Sequence, residues 1–376
     1  MTRTLLLATA CLATGLTASA AIGQSTLAGG GSSHSFGADA VSIEDFIGRV
    51  EVRTVSGSEV TVSVRPGSGD HAAPSITQEG DRVLVDGGQE LRRLQCRNRN
   101  NEMRVGWRGR GLEAIDAYPT LIIEAPASLD FHIEDSAFTG EAGELGRARI
   151  AINHCGDFAV RSVSGDASLS INGSGDLSVG EIGGASQFSI NGSGDIGVAS
   201  VGDLDLSING SGDVEIDRHN GAFDMSINGS GDVLITAGMA TGFDLSINGS
   251  GDVDYRGEAA DVDISVNGSG DITLAAAGDF RASLRGSGDI EVGTQTGRFE
   301  VDNDGSGDVR IRAGRAMPFL VETSGSGDVR HGGEAVDADV DIRGSGNVSA
   351  ASYSGSYRWR SRNGRVHIER PAGGGR

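Results

Sequence analysis

A glycine-rich corner closed by an acidic residue recurs about every 19 residues through the central part of this chain, and that period limits the folds open to it. The closing residues are Asp157, Asp176, Asp195, Asp213, Asp232, Asp252, Asp271, Asp289, Asp308 and Asp328, then Asn347. Ten steps span 190 residues, none shorter than 18 or longer than 20, so the register does not drift. Self-similarity at such a period marks a solenoid.

One unit reads Asp205-Leu206-Ser207-Ile208-Asn209, then Gly210-Ser211-Gly212, then Asp213-Val214-Glu215-Ile216. Apolar and polar residues alternate on both sides of the corner, so two short strands each turn one face inward. A lone unit buries too few aliphatic side chains to offset the entropy of ordering it, whereas stacked units share one core and hydrogen-bond coil to coil, about 4.8 Å apart. The expected fold is therefore all-β, a parallel β-solenoid with about 19 residues per coil. A hairpin meander or membrane barrel fits less well, since segments of about five residues fall short of the roughly 9–11 that an outer-membrane strand needs.

The flanks are read around that column. Residues 1–20 form an export signal, with Arg3 before the apolar run Leu5 to Leu16 and small residues up to Ala20; a second reading makes Cys11 a lipoprotein site. Residues 21–40 are a flexible N-terminal segment. Residues 41–120, with alternating Val50-Glu51-Val52 and Val60-Thr61-Val62, make an N-terminal β cap region, because an open solenoid end exposes strand edges. Solenoid repeats run over 121–350, the first of them degenerate, with Ile133 lying 19 residues before Ile152. Residues 351–370, with Tyr353, Tyr357 and Trp359, form C-terminal cap strands, and 371–376 a tail. No later segment has the roughly 20 apolar residues of a spanning helix. Cys96 and Cys155 could pair in an oxidising compartment, although spacing cannot bring them together.

A formal net charge of −21 argues against nucleic acid as a partner, which needs a cationic footprint. It leaves divalent cations. Stacked corner carboxylates would repel one another, and two readings answer that: each accepts backbone N–H bonds from its own glycine corner, or Asp176, Asp195, Asp213, Asp232, Asp252 and Asp271 hold calcium. Asn172, Asn191, Asn209, Asn228, Asn248 and Asn267 form a second row, read as an amide ladder with glycan contact as the alternative. Arg92, Arg93, Arg97, Arg99, Arg104, Arg108 and Arg110, interleaved with Trp107, form a basic cluster read as a solvated loop. His132, His154, His219 and His331 share no repeat position, and the corner serines lack the setting of a nucleophile or a phosphate loop, so no catalytic residue is expected.

Phe46-Ile47-Gly48-Arg49-Val50-Glu51-Val52, Leu121-Ile122-Ile123-Glu124-Ala125-Pro126 and the repeated Ser-Gly-Ser-Gly-Asp corners resemble the head GIN domain family of autotransporter adhesins over roughly residues 40–350. The resemblance implies a right-handed parallel β-helix exported to the periplasm, outer surface or medium, with an adhesive role and no catalytic residues to transfer. No attached autotransporter barrel is seen. The expected function is a non-enzymatic cell-envelope scaffold that presents Ser, Asn and Asp ladders to a surface polymer or protein. The alternative is a polysaccharide-processing lyase or hydrolase working in a β-helix groove.

Overall fold

The computed structural model describes residues 24–26, 31–99, 102–109 and 111–368. The export signal, Cys11, Arg110 and the 371–376 tail lie outside the described residues. Strand accounts for 66% of the chain, and coils of about 19 residues stack in parallel into a β-solenoid of about 13 turns. Among the described residues there is no α-helix, and no helix is long and apolar enough to cross a membrane.

Stacking is position for position. Leu204–Ile208 pairs in parallel with Ser186–Ile190 on one side and with residues 223–227 on the other, so Leu206 lies between Phe188 and Met225, and Ile208 between Ile190 and Ile227. All are buried. Corners stack too: the Ser211 N–H donates to the Gly192 carbonyl and the Ser230 N–H to the Gly210 carbonyl, each at 3.0 Å. A Cβ on Gly229 would sit 1.8 Å from the Gly210 carbonyl oxygen, and one on Gly231 would sit 2.0 Å from that of Gly212. Neither glycine has a left-handed dihedral, so the close approach of one corner to the next is what excludes a side chain here.

The core is not purely aliphatic, as the repeat suggested. One inward row reads Phe223, Phe243, Val262, Phe280, Phe299, Phe319 along the column. Rings of Phe280, Phe299 and Phe319 stack nearly parallel, with centroids 5.6 and 5.1 Å apart. This spacing follows from the backbone repeat, and the offset contacts add to simple area burial.

Polar side chains are buried as well, among them His331, Gln295 and His219. His331 Nδ1 accepts from the Gly333 N–H at 3.2 Å, leaving the proton on Nε2 to reach Gln295 Oε1 at 3.3 Å. The Gln295 amide in turn donates to the Gly278 and Arg298 carbonyls. His219 Nε2 faces the Ala222 carbonyl at 3.3 Å and Nδ1 the Tyr255 hydroxyl at 3.4 Å. Burial holds both imidazoles below the ordinary histidine value and pushes the Tyr255 phenol up to about 12. Both histidines are thus satisfied, neutral core residues.

The column begins before the repeats do. Ala40–Glu44 and Ile47–Thr54, read from sequence as part of the N-terminal cap, form a coil inside it. That coil is covered on one side by Arg82–Asp86 and Thr120–Ala125, and on the other by Asp130–Ile133 and Ala137–Leu145, all parallel. Ile43 therefore lies against Ile133, 90 residues away in sequence. Antiparallel strands close this end: Ser75–Glu79 lies on Arg82–Asp86, Val60–Arg65 on Thr120–Ala125, and Ser32–Phe36, in the segment read from sequence as flexible, pairs in turn on Val60–Arg65. The first repeat is also shorter than its spacing suggested: Ile133 pairs with Ile150, not Ile152. Its corner and its return are each one residue shorter than those of the following coil, a shift visible in the pairings Gly140 to Phe158 and Ala148 to Ala167.

The basic cluster is an ordered sheet and not a loop. Leu94–Arg99, Glu102–Trp107 and Glu113–Ala114 pair antiparallel. Leu91, Met103, Val105, Ile115 and Tyr118 pack beneath it against Ile47, Ala137 and Cys155. Trp107 Nε1 donates to the Glu90 carbonyl at 2.8 Å. Cys96 and Cys155 form a disulfide with Cα atoms 6.1 Å apart, closing a separation of 59 residues. On the chain-entropy model such a loop restricts the unfolded state by about 4 kcal/mol. At the far end Val348–Ser361 continues the parallel stacking on Val329–Ile342, so residues 351–361 are part of the last coil.

Two outcomes follow. Gly229→Ala forces adjacent corners apart and lowers the thermal midpoint sharply, whereas Ser230→Ala, in the exposed position between the two glycines, leaves it nearly unchanged; circular dichroism melts compare them. Because the folded state holds His219 and His331 below the unfolded value of about 6.5, their contribution is complete above that pH and is lost as pH falls beneath it. Denaturant midpoints should therefore decline between about pH 7 and 5.5, and His331→Gln should flatten that decline.

Candidate functional site

The strand before each corner turns a polar row outward, and parallel register makes that row continuous. Starting near the N-terminal end it reads Ser42, which is itself buried, then His132, Arg149, Ser168, Gln187, Asp205, Asp224, Asp244, Asp263 and Arg281. At about 4.8 Å per coil these ten positions extend about 43 Å. One end is basic to neutral. The middle stacks four carboxylates, closed off by Arg281, which lies 4.0 Å from Asp263 and 3.1 Å from Glu300. Two residues along each strand, Ser170, Ser189, Ser207, Ser226, Ser246, Ser265 and Ser283 form a second row in the same register.

The asparagine row behaves as its spacing predicted. Asn191 Nδ2 donates to Asn172 Oδ1 at 2.8 Å, and the pattern continues through Asn209, Asn228, Asn248 and Asn267 at 3.0–3.1 Å. In the earlier coils the same amide also donates to the serine two residues before it, as Asn209 does to Ser207 Oγ at 3.3 Å. These amides are engaged with one another, and in those contacts the serine hydroxyls act as acceptors.

The corner carboxylates accept backbone N–H bonds, as the structural reading expected, but from a different donor. Asp213 Oδ1 accepts the backbone N–H of Asp232 at 2.8 Å, Asp232 Oδ1 that of Asp252, and Asp252 Oδ1 that of Asp271 at 2.7 Å. Asp176 and Asp195 serve Asp195 and Asp213 in the same way. The donor is thus on the next coil, not in the residue's own corner. The reason is local: the Asp carbonyl is taken by the following residue of the previous coil, as in Val214 N–H to Asp232 O at 2.9 Å, and the turn leaves the Asp N–H without a carbonyl partner. The side chain supplies the missing acceptor. Among the described residues no three or more His, Cys, Asp or Glu side chains are grouped to hold a metal ion.

Where the face meets the first coils, it hollows into a groove of about 640 Å³ lined by His132, Arg147, Arg149, Ser168, Gln187 and Asp205. Arg147 pairs with Asp130 at 3.4 Å and Ser42 Oγ meets His132 Nδ1 at 3.4 Å. Ser186, buried beneath the groove, has a hydroxyl with no hydrogen-bond partner among the described residues. The chemistry offered is mixed: guanidinium and imidazole at the groove, hydroxyls along the whole face, carboxylates beyond. His154 is half-buried near Asp135, and burial lowers its proton affinity.

Sequence reading missed the Asp205 row and the groove. The signal for the row was present, since Asp205, Asp224, Asp244 and Asp263 keep the 19-residue period, but the row changes identity at Gln187 and Arg281 while the corner does not.

Asp232→Ala removes the acceptor for the Asp252 N–H and should cost on the order of 1 kcal/mol. Asp232→Asn keeps an oxygen there and should cost little; urea titration of the two variants separates a structural acceptor from a mere surface charge.

No curated protein and no solved structure matches the chain. Residues 185–296, the regular coils that carry the Asp205 row, match the family model described as "Putative auto-transporter adhesin, head GIN domain".

Proposed function

We propose that this chain is a non-enzymatic, exported binding scaffold of the adhesin type, which holds an extended surface polymer along its pre-corner face. The observation that carries this reading is the in-register row of carboxylates and serine hydroxyls from Ser168 to Ser283. Each contact is weak and exposed. Repetition along a rigid column converts many such contacts into avidity, because a polymer bound at one coil meets the next at high effective concentration. A hydroxyl-rich glycan or a polymer bearing amines suits donors and carboxylates at a fixed repeat. The family match at residues 185–296 supports an adhesive, surface role, and the Cys96–Cys155 disulfide supports an oxidising compartment outside the cytoplasm. In this reading the corner ladder from Asp176 to Asp271 is structural, and added calcium leaves the melting midpoint where it was.

The full chain is incubated with insoluble cell-wall polymers, acidic and neutral polysaccharides and host matrix proteins, alongside a variant carrying Asp205→Asn, Asp224→Asn, Asp244→Asn and Asp263→Asn. Retention on at least one polymer is expected, with the variant weakened about tenfold or more as several contacts are lost together. Retention on none would remove the proposal. Release of unsaturated or reducing ends from the same polymers would replace it with the enzymatic alternative.

A further inference from the structure

The last coil differs from the rest in charge, in exposure and in hydrogen bonding. Residues 348–368 contain Arg358, Arg360, Arg362 and Arg365 and no aspartate or glutamate, in a chain of net charge −21. All four arginines are exposed. Arg358 lies 4.0 Å from Asp339, and no carboxylate among the described residues lies within ion-pair distance of Arg360, Arg362 or Arg365.

The backbone of this coil is open. Val348–Ser361 is paired along most of its length on one side with Val329–Ile342, yet on the other side Val366–Ile368 covers only Val348, Ser349 and Ala350. Among the described residues no strand pairs with the outer edge of residues 351–361. The core also surfaces here. Trp359 stands in the inward row directly after Val340 and is 56% exposed, while Val340 is fully buried; Tyr357 follows the buried Ala338, and its ring lies 4.8 Å from that of Tyr353. In a strand, Tyr357 and Trp359 face one side and Arg358 and Arg360 the other. Unpaired edges of this length are normally blunted or covered.

We infer that the open edge of residues 351–361 is a docking site for an extended polypeptide strand in which acidic and apolar residues alternate, supplied by a partner protein. A strand added there completes the backbone ladder. Its apolar residues cover Tyr357 and Trp359, and its carboxylates meet Arg358 and Arg360. Charge decides between occupants: two copies joined edge to edge would oppose arginine to arginine, whereas an acidic strand is attracted. The strands inside this column show that the pattern fits, since Asp261-Val262-Asp263-Ile264 alternates in the required way.

The probe is a fluorescein-labelled peptide of the sequence of residues 260–266, followed by anisotropy with the full, disulfide-bonded chain at low ionic strength. Saturable binding is expected. Arg358→Gln with Arg360→Gln, which avoids setting new carboxylates against Asp339 and Asp341, should weaken it at least tenfold, Trp359→Ser several-fold, and methylation of alternate peptide nitrogens at least tenfold. Absence of binding, equal affinity for the N-methylated peptide, or unchanged affinity in the folded Arg358→Gln, Arg360→Gln variant would each overturn the inference. So would self-association in sedimentation that excludes the peptide, or binding to phosphatidylglycerol vesicles with which the peptide does not compete.

Discussion

The coil-to-coil backbone hydrogen bond is the interaction on which the rest of this structure rests, because it sets a spacing that every other group must accommodate. Strands satisfy it readily through parallel pairing. Corners satisfy it only where nothing projects from the backbone, which is why Gly210, Gly229 and Gly249 each lie directly on the carbonyl of the equivalent glycine in the coil before. At the one N–H the turn cannot pair, the aspartate carboxylate of the neighbouring coil stands in for a carbonyl. The conspicuous acidity of the corner is thus a consequence of backbone geometry, and like charges are tolerated at that spacing because each carboxylate is fixed by a donor in a solvent-exposed setting.

The same spacing organises the interior and the surface together. Inside, it stacks Phe280, Phe299 and Phe319 ring on ring. It also admits His331 and Gln295 where their hydrogen bonds close on one another and on backbone. Outside, it writes each polar position as a line. The asparagine line is consumed by its own hydrogen bonds, whereas the serine and Asp205 lines remain available, and this difference separates a structural ladder from a candidate binding face.

The two ends of the column are unlike. At the N-terminal end, antiparallel strands cover the edge, and a disulfide-tethered sheet beside the first coils buries a second apolar cluster. At the other, Trp359 and four arginines lie beside unpaired backbone. Among the described residues the column thus has unlike ends, one covered by antiparallel strands and one with an unpaired edge.

By itself the sequence determined the repeat, the inward and outward sets of residues in each unit and the asparagine ladder. In a parallel in-register stack, residue i lies on residue i+19, so period and contact are the same information. Only the tertiary structure decided that residues 40–54 sit inside the column against a coil 90 residues away, that Cys96 reaches Cys155, and that the Arg-rich segment is a sheet. It also decided that Ile133 meets Ile150 and that, among the described residues, the edge of 351–361 has no partner strand. Those features depend on loop lengths and on which surfaces remain uncovered once the column has formed, and neither leaves a periodic trace in the chain.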